Sequence, residues 1–64
     1  MSEQPTLLSE RDIESIARET DTSPDLVRSI SNEHMVIREM MLEYGYDVYD
    51  AVTAIVMYRT FKPQ

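Results

Sequence analysis

The chain of 64 residues contains no cysteine and a single histidine, His34. Without thiolates it can form neither a disulfide nor a cysteine-based zinc site, and one histidine cannot supply a metal site by itself. We therefore expect no cofactor and no bound metal. A chain this short buries only a small core, so helix packing or association must supply its stability.

Basic residues are also few, because six Lys and Arg stand against twelve Asp and Glu, for a formal net charge of −6. This charge repels nucleic acid and anionic membranes and favours basic partner surfaces, although it also simply keeps a small protein soluble. The longest apolar run, 54–58, is far too short to span a membrane. Residues 1–12 lack the basic n-region and the apolar h-region of a signal peptide, so we expect a cytoplasmic protein.

Residues typical of helix ends divide the chain into segments. Ser9 has an acid three residues later, as in a capping box, and Ser23 followed by Pro24 is a strong start for a second helix. Gly45 is the single glycine and fits a left-handed position at the end of a helix. Asp47 then fits the N-cap of a last helix.

These signals predict an all-α fold, a small bundle of three helices at approximately 10–20, 24–44 and 48–60. The helices form a single domain over 9–62, which follows a lead-in segment at 1–8. The middle helix has two interpretations. A 3-4-3-4-3 apolar spacing favours one continuous helix, along the residues Val27, Ile30, His34, Ile37, Met41 and Tyr44. The polar residues around Asn32 can instead end one helix and begin another, which would give four helices.

The last predicted helix is apolar nearly all round, which usually indicates burial on more than one side. Its inward face is predicted to contain Val48, Ala51, Val52, Ile55 and Tyr58. The remaining apolar residues, together with a preceding tyrosine, form a predicted protein-binding surface of Tyr46, Tyr49, Val56, Met57 and Phe61. Tyrosine and methionine are typical of binding surfaces, although in so small a protein they could fill the core instead.

The segment 12–30 resembles a bacterial helix-turn-helix. Ile16 and Ala17 stand where such motifs place an apolar and a small residue, and Val27 and Ile30 stand where the second helix packs back. Asp21 occupies the turn position that usually holds glycine, which aspartate tolerates better than most residues.

This resemblance implies a DNA-binding regulator whose second helix contacts base edges. Arg28 and Asn32 are the exposed side chains there that suit such contacts. One arginine offers little positive charge to hold phosphates, and the net charge of the chain opposes it.

The segment 41–55 resembles the first two helices of a ubiquitin-associated domain. In that family an apolar-Gly-aromatic loop precedes a helix with an alanine-rich face, and here Tyr44-Gly45-Tyr46 matches the loop. Ala51 and Ala54 lie on the matching helix. A third helix has no counterpart after this segment, and Gly45 could equally be an ordinary helix cap.

Spacing typical of a catalytic or metal site is not found in the sequence, so we expect no enzyme. We interpret the protein as a non-enzymatic acidic protein-binding module, a small regulator or inhibitor of a larger protein. Its size, acidity and lack of motifs are similar to those of phage-encoded host modulators. The expected partner is a protein with a basic surface, and a homodimer remains open. Nucleic acid is the partner in the alternative, a helix-turn-helix transcriptional regulator.

Overall fold

Residues 8–61 are described by the computed structural model, and within that range they form four α-helices and no strand. The helices are α1 (Glu10–Thr20), α2 (Pro24–Ser31), α3 (His34–Tyr44) and α4 (Val48–Thr60). The predicted all-α fold is therefore confirmed. Of the predicted lead-in at 1–8 only Leu8 is described, and it is buried in the core; the rest of the lead-in and the predicted domain end at 62 lie outside the described residues. Across 8–61, every helix is too short or too polar to cross a membrane.

The predicted caps account for the helix boundaries. The side chains of Ser9, Ser23 and Asp47 each accept a hydrogen bond from the backbone N–H three residues later, at 3.2, 3.2 and 2.9 Å. Two left-handed residues end α1 and α3, Asp21 with φ 57° and Gly45 with φ 73°. Local sequence thus fixes where these helices begin and end, because each cap satisfies backbone groups that the helix leaves unpaired.

The middle segment is broken rather than continuous. The backbone N–H groups of Asn32 and Glu33 bond to carbonyls three residues back, at 3.2 and 3.0 Å, which tightens and ends α2. His34, which a continuous helix would place on the apolar seam, is exposed at the start of α3. A straight helix over 24–44 would be about 31 Å long, against about 20 Å for α4, so the break lets both halves pack against α4.

Helix α4 lies at the centre of the packing, in contact with α1, α2 and α3. The core around it is aliphatic and, among residues 8–61, contains Leu8, Ile13, Ile16, Ala17, Val27, Ile30, Ile37, Ala51, Val52, Ile55 and Val56. The interpretation that an all-round apolar helix is buried on several sides is therefore confirmed for α4.

Two residues of α4 are placed differently from the prediction. Val56, assigned to the protein-binding surface, is fully buried, whereas Tyr58, assigned to the inward face, is 82% exposed. The assignment was wrong because it gave α4 one inward face, and contact with three other helices extends burial beyond that face to Val56. The hydroxyl of a tyrosine favours the rim of a core over its centre, in contrast to a small β-branched side chain.

We expect Val56→Glu to unfold the protein, whereas Met57→Glu should remain folded. A carboxylate at the fully buried position 56 would lose its hydration at a cost of several kcal/mol, comparable with the whole stability of a small domain. Met57 is 52% exposed and can place a carboxylate in water. Thermal melts followed by far-ultraviolet circular dichroism compare the two variants. A wild-type melting temperature for Val56→Glu would contradict the assignment of this residue to the core.

Replacing Gly45 tests the turn between α3 and α4. Its φ of 73° suits glycine, and an added Cβ would meet no atom within 4 Å. Gly45→Ala should therefore cost backbone strain alone, about 1 kcal/mol of unfolding free energy in urea titrations. Gly45→Asn should cost less, because asparagine tolerates the left-handed region. Equal losses for both variants would point to a packing role instead.

Candidate functional site

An open apolar groove of about 640 Å³ runs between α3 and α4. Its lining consists of Val36, Met40, Tyr44, Tyr46, Ala54, Ile55, Tyr58 and Arg59, and we call it the α3–α4 groove. The groove exists because α3 packs mainly against α4 and contributes one fully buried side chain among the described residues, that of Ile37. The side of the α3–α4 pair on which the groove opens is not covered by the rest of the described chain.

Tyrosines form much of this uncovered surface. Tyr44 and Tyr46 flank the turn at Gly45, and their rings stack with centroids 5.4 Å apart. The left-handed turn brings them together, since it reverses the chain immediately after α3. Tyr58 projects from α4 on the other side of the groove. The groove thus offers aromatic surface from three tyrosines, residues suited to recognition of another molecule.

Carboxylates border the groove along α3. Glu39 and Glu43 line a smaller depression of about 240 Å³, which shares Val36, Met40 and Tyr44 with the groove. The two glutamates are four residues apart and therefore lie on one side of the helix. Neither forms an ion pair with any residue from 8 to 61. This side of the groove carries uncompensated negative charge.

An ion pair joins a groove residue, Arg59, to Glu33 at the start of α3. The guanidinium of Arg59 donates two hydrogen bonds to the carboxylate of Glu33, at 2.7 and 2.9 Å. These bonds lower the pKa of Glu33 and raise that of Arg59. Because Glu33 is bound to Arg59, it makes no side-chain hydrogen bond to the first turn of α3. The ion pair links the start of α3 to the end of α4.

The predicted protein-binding residues are not brought together. Tyr46 lines the groove, whereas Met57 on α4 and Phe61 at its C-cap are exposed outside the groove lining. Tyr49 is half-buried, and its hydroxyl lies 2.9 Å from the hydroxyl of Ser15 on α1. Because Val56 is buried as well, the five predicted residues do not form one continuous surface.

The two predicted DNA-contacting residues are four positions apart, with Arg28 inside α2 and Asn32 at its C-cap. Arg28 donates hydrogen bonds to Glu10 at 2.8 and 3.2 Å and to Asp25 at 2.8 Å. The bonds to Arg28 lower the pKa of Glu10, and the pKa of Arg28 itself is raised, chiefly by Glu10. Asn32 is exposed where α2 ends. The charge of Arg28 is thus directed at two carboxylates of the same chain.

Sequence reasoning missed most of the groove lining, including Val36, Met40, Tyr44 and Tyr58. The first three gave a signal in the sequence, since positions 36, 40 and 44 are four residues apart and fall in one row along α3. The continuous-helix interpretation hid it by assigning Tyr44 to the inward seam with Ile37 and Met41, whereas Tyr44 is 62% exposed.

Among residues 8–61, no three His, Cys, Asp or Glu side chains are grouped so that they could hold a metal ion. Comparisons of the chain with protein-family models, characterised proteins and solved structures found no match.

Glu33→Gln should lower the unfolding free energy at neutral pH by up to about 1 kcal/mol, the upper range for an exposed pair, because the Arg59 bonds are bidentate. The lowered pKa of Glu33 stabilises the folded state above the ordinary glutamate pKa, near pH 4.3, and this contribution is lost as pH falls through the folded value. Urea titrations at pH 7 and about pH 3 should therefore show the difference from wild type shrinking in acid.

Glu39→Gln is the matched control for this experiment, because Glu39 lies on the same helix and forms no ion pair within residues 8–61. It should leave the unfolding free energy close to that of wild type at both pH values. A Glu33→Gln deficit that persists unchanged at about pH 3 would contradict the ion-pair explanation.

Proposed function

We propose that the protein is a non-enzymatic, acidic protein-binding module whose binding site is the α3–α4 groove. The observation that carries the proposal is the placement of its aromatic side chains. Three of the four tyrosines line the groove, while the core of residues 8–61 is built from aliphatic side chains. Large rings on the surface of a small domain therefore need another explanation than core packing.

Binding to a protein supplies that explanation. Tyr44 and Tyr58 are 62% and 82% exposed, and Met40 and Val36 extend the apolar surface between them. Tyrosine buries a large area at little loss of side-chain freedom and keeps a hydroxyl for the wet edge of an interface. Monomeric proteins seldom leave a large contiguous apolar patch uncovered without a use for it. A groove of this composition is suited to receive a partner's side chains.

A domain of this size would act by occupying its partner's surface. We therefore favour a small regulator or inhibitor of a larger protein, by analogy with phage-encoded host modulators of similar size and acidity. The alternative, a DNA-binding helix-turn-helix regulator, has less support. It depends on Arg28, which is paired with Glu10 and Asp25, in a chain of net charge −6.

Substitutions in the groove should abolish capture of the partner without unfolding the domain. Immobilised wild type, Tyr44→Ala and Tyr58→Ala would be incubated with extract of the source cells, and retained proteins identified by mass spectrometry. A protein retained by wild type should be lost or reduced about tenfold with each variant, as expected for an aromatic residue at the centre of an interface. Circular dichroism checks that both variants keep wild-type helicity.

Met35→Ala provides the matched control, because Met35 is an 80% exposed apolar residue of α3 outside the groove lining. It should retain the same partner as wild type. Equal retention by all three variants would contradict the groove as the binding site, and sequence-specific binding of duplex DNA lost in Arg28→Ala would support the alternative.

A further inference from the structure

Resting on the proposed function, we infer that the occupant of the α3–α4 groove is a short amphipathic helix of a partner protein, with a basic row beside its apolar stripe. The apolar stripe lies between α3 and α4, and the basic row lies along Glu39 and Glu43. Shape, backbone chemistry and charge each contribute to this assignment.

The length of the groove fits two to three turns of helix. Its lining on α3 extends from Val36 to Tyr44, a rise of about 12 Å. An apolar stripe with side chains at positions i, i+3 or i+4, and i+7 rises by about 10 Å. Three such side chains can therefore lie between the rows of α3 and α4, with the stacked Tyr44 and Tyr46 at one end and Arg59 at the other.

The backbone chemistry of the groove favours a helix over an extended peptide. Both walls are α-helices, whose backbone groups are bonded within the helices along the groove. An extended peptide would find no strand edge to pair with, and its own N–H and C=O groups would lose water without replacement. A helical occupant satisfies its backbone internally and presents side chains to the groove.

Charge selects the basic row. Glu39 and Glu43 repeat at a spacing of four residues beside the groove, so cations at i and i+4 of the occupant can meet them in register. Arg59, the one cation among the described lining residues, is already paired with Glu33. An acidic occupant would therefore meet unpaired carboxylates without a free cation among the described lining residues.

The same charges argue against a second copy of this chain. Each copy carries a formal charge of −6, and in residues 33–61 five carboxylates stand against Arg38 and Arg59. Two such surfaces repel at close range, which lowers the rate of association and the affinity. The same negative charge attracts a basic partner.

The test uses a synthetic helical peptide of about 14 residues, with leucines at i, i+3, i+4 and i+7 and lysines beside them. Its binding to the full chain at about 150 mM salt is followed by titration calorimetry and by amide NMR shifts. Shifts should concentrate on the groove lining. A peptide with glutamate at the lysine positions should bind at least about tenfold more weakly, and a sequence-scrambled peptide without an apolar stripe should also bind weakly.

Two double variants with equal change in net charge separate local contact from general attraction. The double variant with Glu39→Gln and Glu43→Gln should bind the lysine peptide about fivefold more weakly, since two close charge pairs are lost. Glu14→Gln with Glu19→Gln on α1 removes two exposed carboxylates that do not line the groove and should change the affinity less than about twofold, because salt screens distant charges.

Equal weakening by the two double variants, tighter binding of the glutamate peptide, or no groove shifts with any peptide would each overturn the inference. Equal groove shifts with lysine and glutamate peptides would overturn the basic partner while leaving the groove as a protein-binding site. Failure of the proposed function is recognised separately, when a partner from cell extract is retained equally by wild type, Tyr44→Ala and Tyr58→Ala.

Discussion

The structure depends on covering α4, which is apolar nearly all round and lies in a chain with little else to bury it. Helices α1 and α2 are amphipathic and pack their apolar sides against α4 and each other, while α3 packs against a further side. The aliphatic core is the result, with Ala51, Val52, Ile55 and Val56 all supplied by α4. The break after α2 also helps to cover α4, because a straight helix over 24–44 would extend well past α4.

Incomplete cover on the α3 side produces the groove. Helix α3 contributes Ile37 to the core and holds to α4 through partly buried Met40 and Met41 and the Glu33–Arg59 ion pair. The other large apolar side chains of α3 are therefore exposed, namely Met35, Val36, Leu42 and Tyr44. On this side, which the other described residues leave uncovered, the groove is lined by tyrosines, whose rings tolerate partial exposure better than aliphatic side chains do. The small core and the candidate binding surface thus have the same cause, which is the incomplete cover of the α3–α4 pair.

Some charged side chains on the surface form ion pairs and others do not, and this difference bears on function. Arg28 and Arg59, on different helices, are each bound to a carboxylate distant in sequence, Glu10 and Glu33 respectively. These pairs link α1 to α2 and α3 to α4, and they consume two of the few cations. Glu39 and Glu43 remain beside the groove without a partner among residues 8–61. Unpaired carboxylates of this acidic chain therefore lie next to the apolar α3–α4 groove.

The sequence alone determined the fold class, the outer helix boundaries and the caps at Ser9, Ser23, Gly45 and Asp47, because these depend on residues within one turn of each other. It left the break near Asn32 open, since spacing and capping gave opposite indications there. Only the tertiary structure decided which sides of α4 are buried, and so exchanged the predicted places of Val56 and Tyr58. Periodicity cannot distinguish the sides of a helix that is apolar all round; the contacts of α1, α2 and α3 with α4 do.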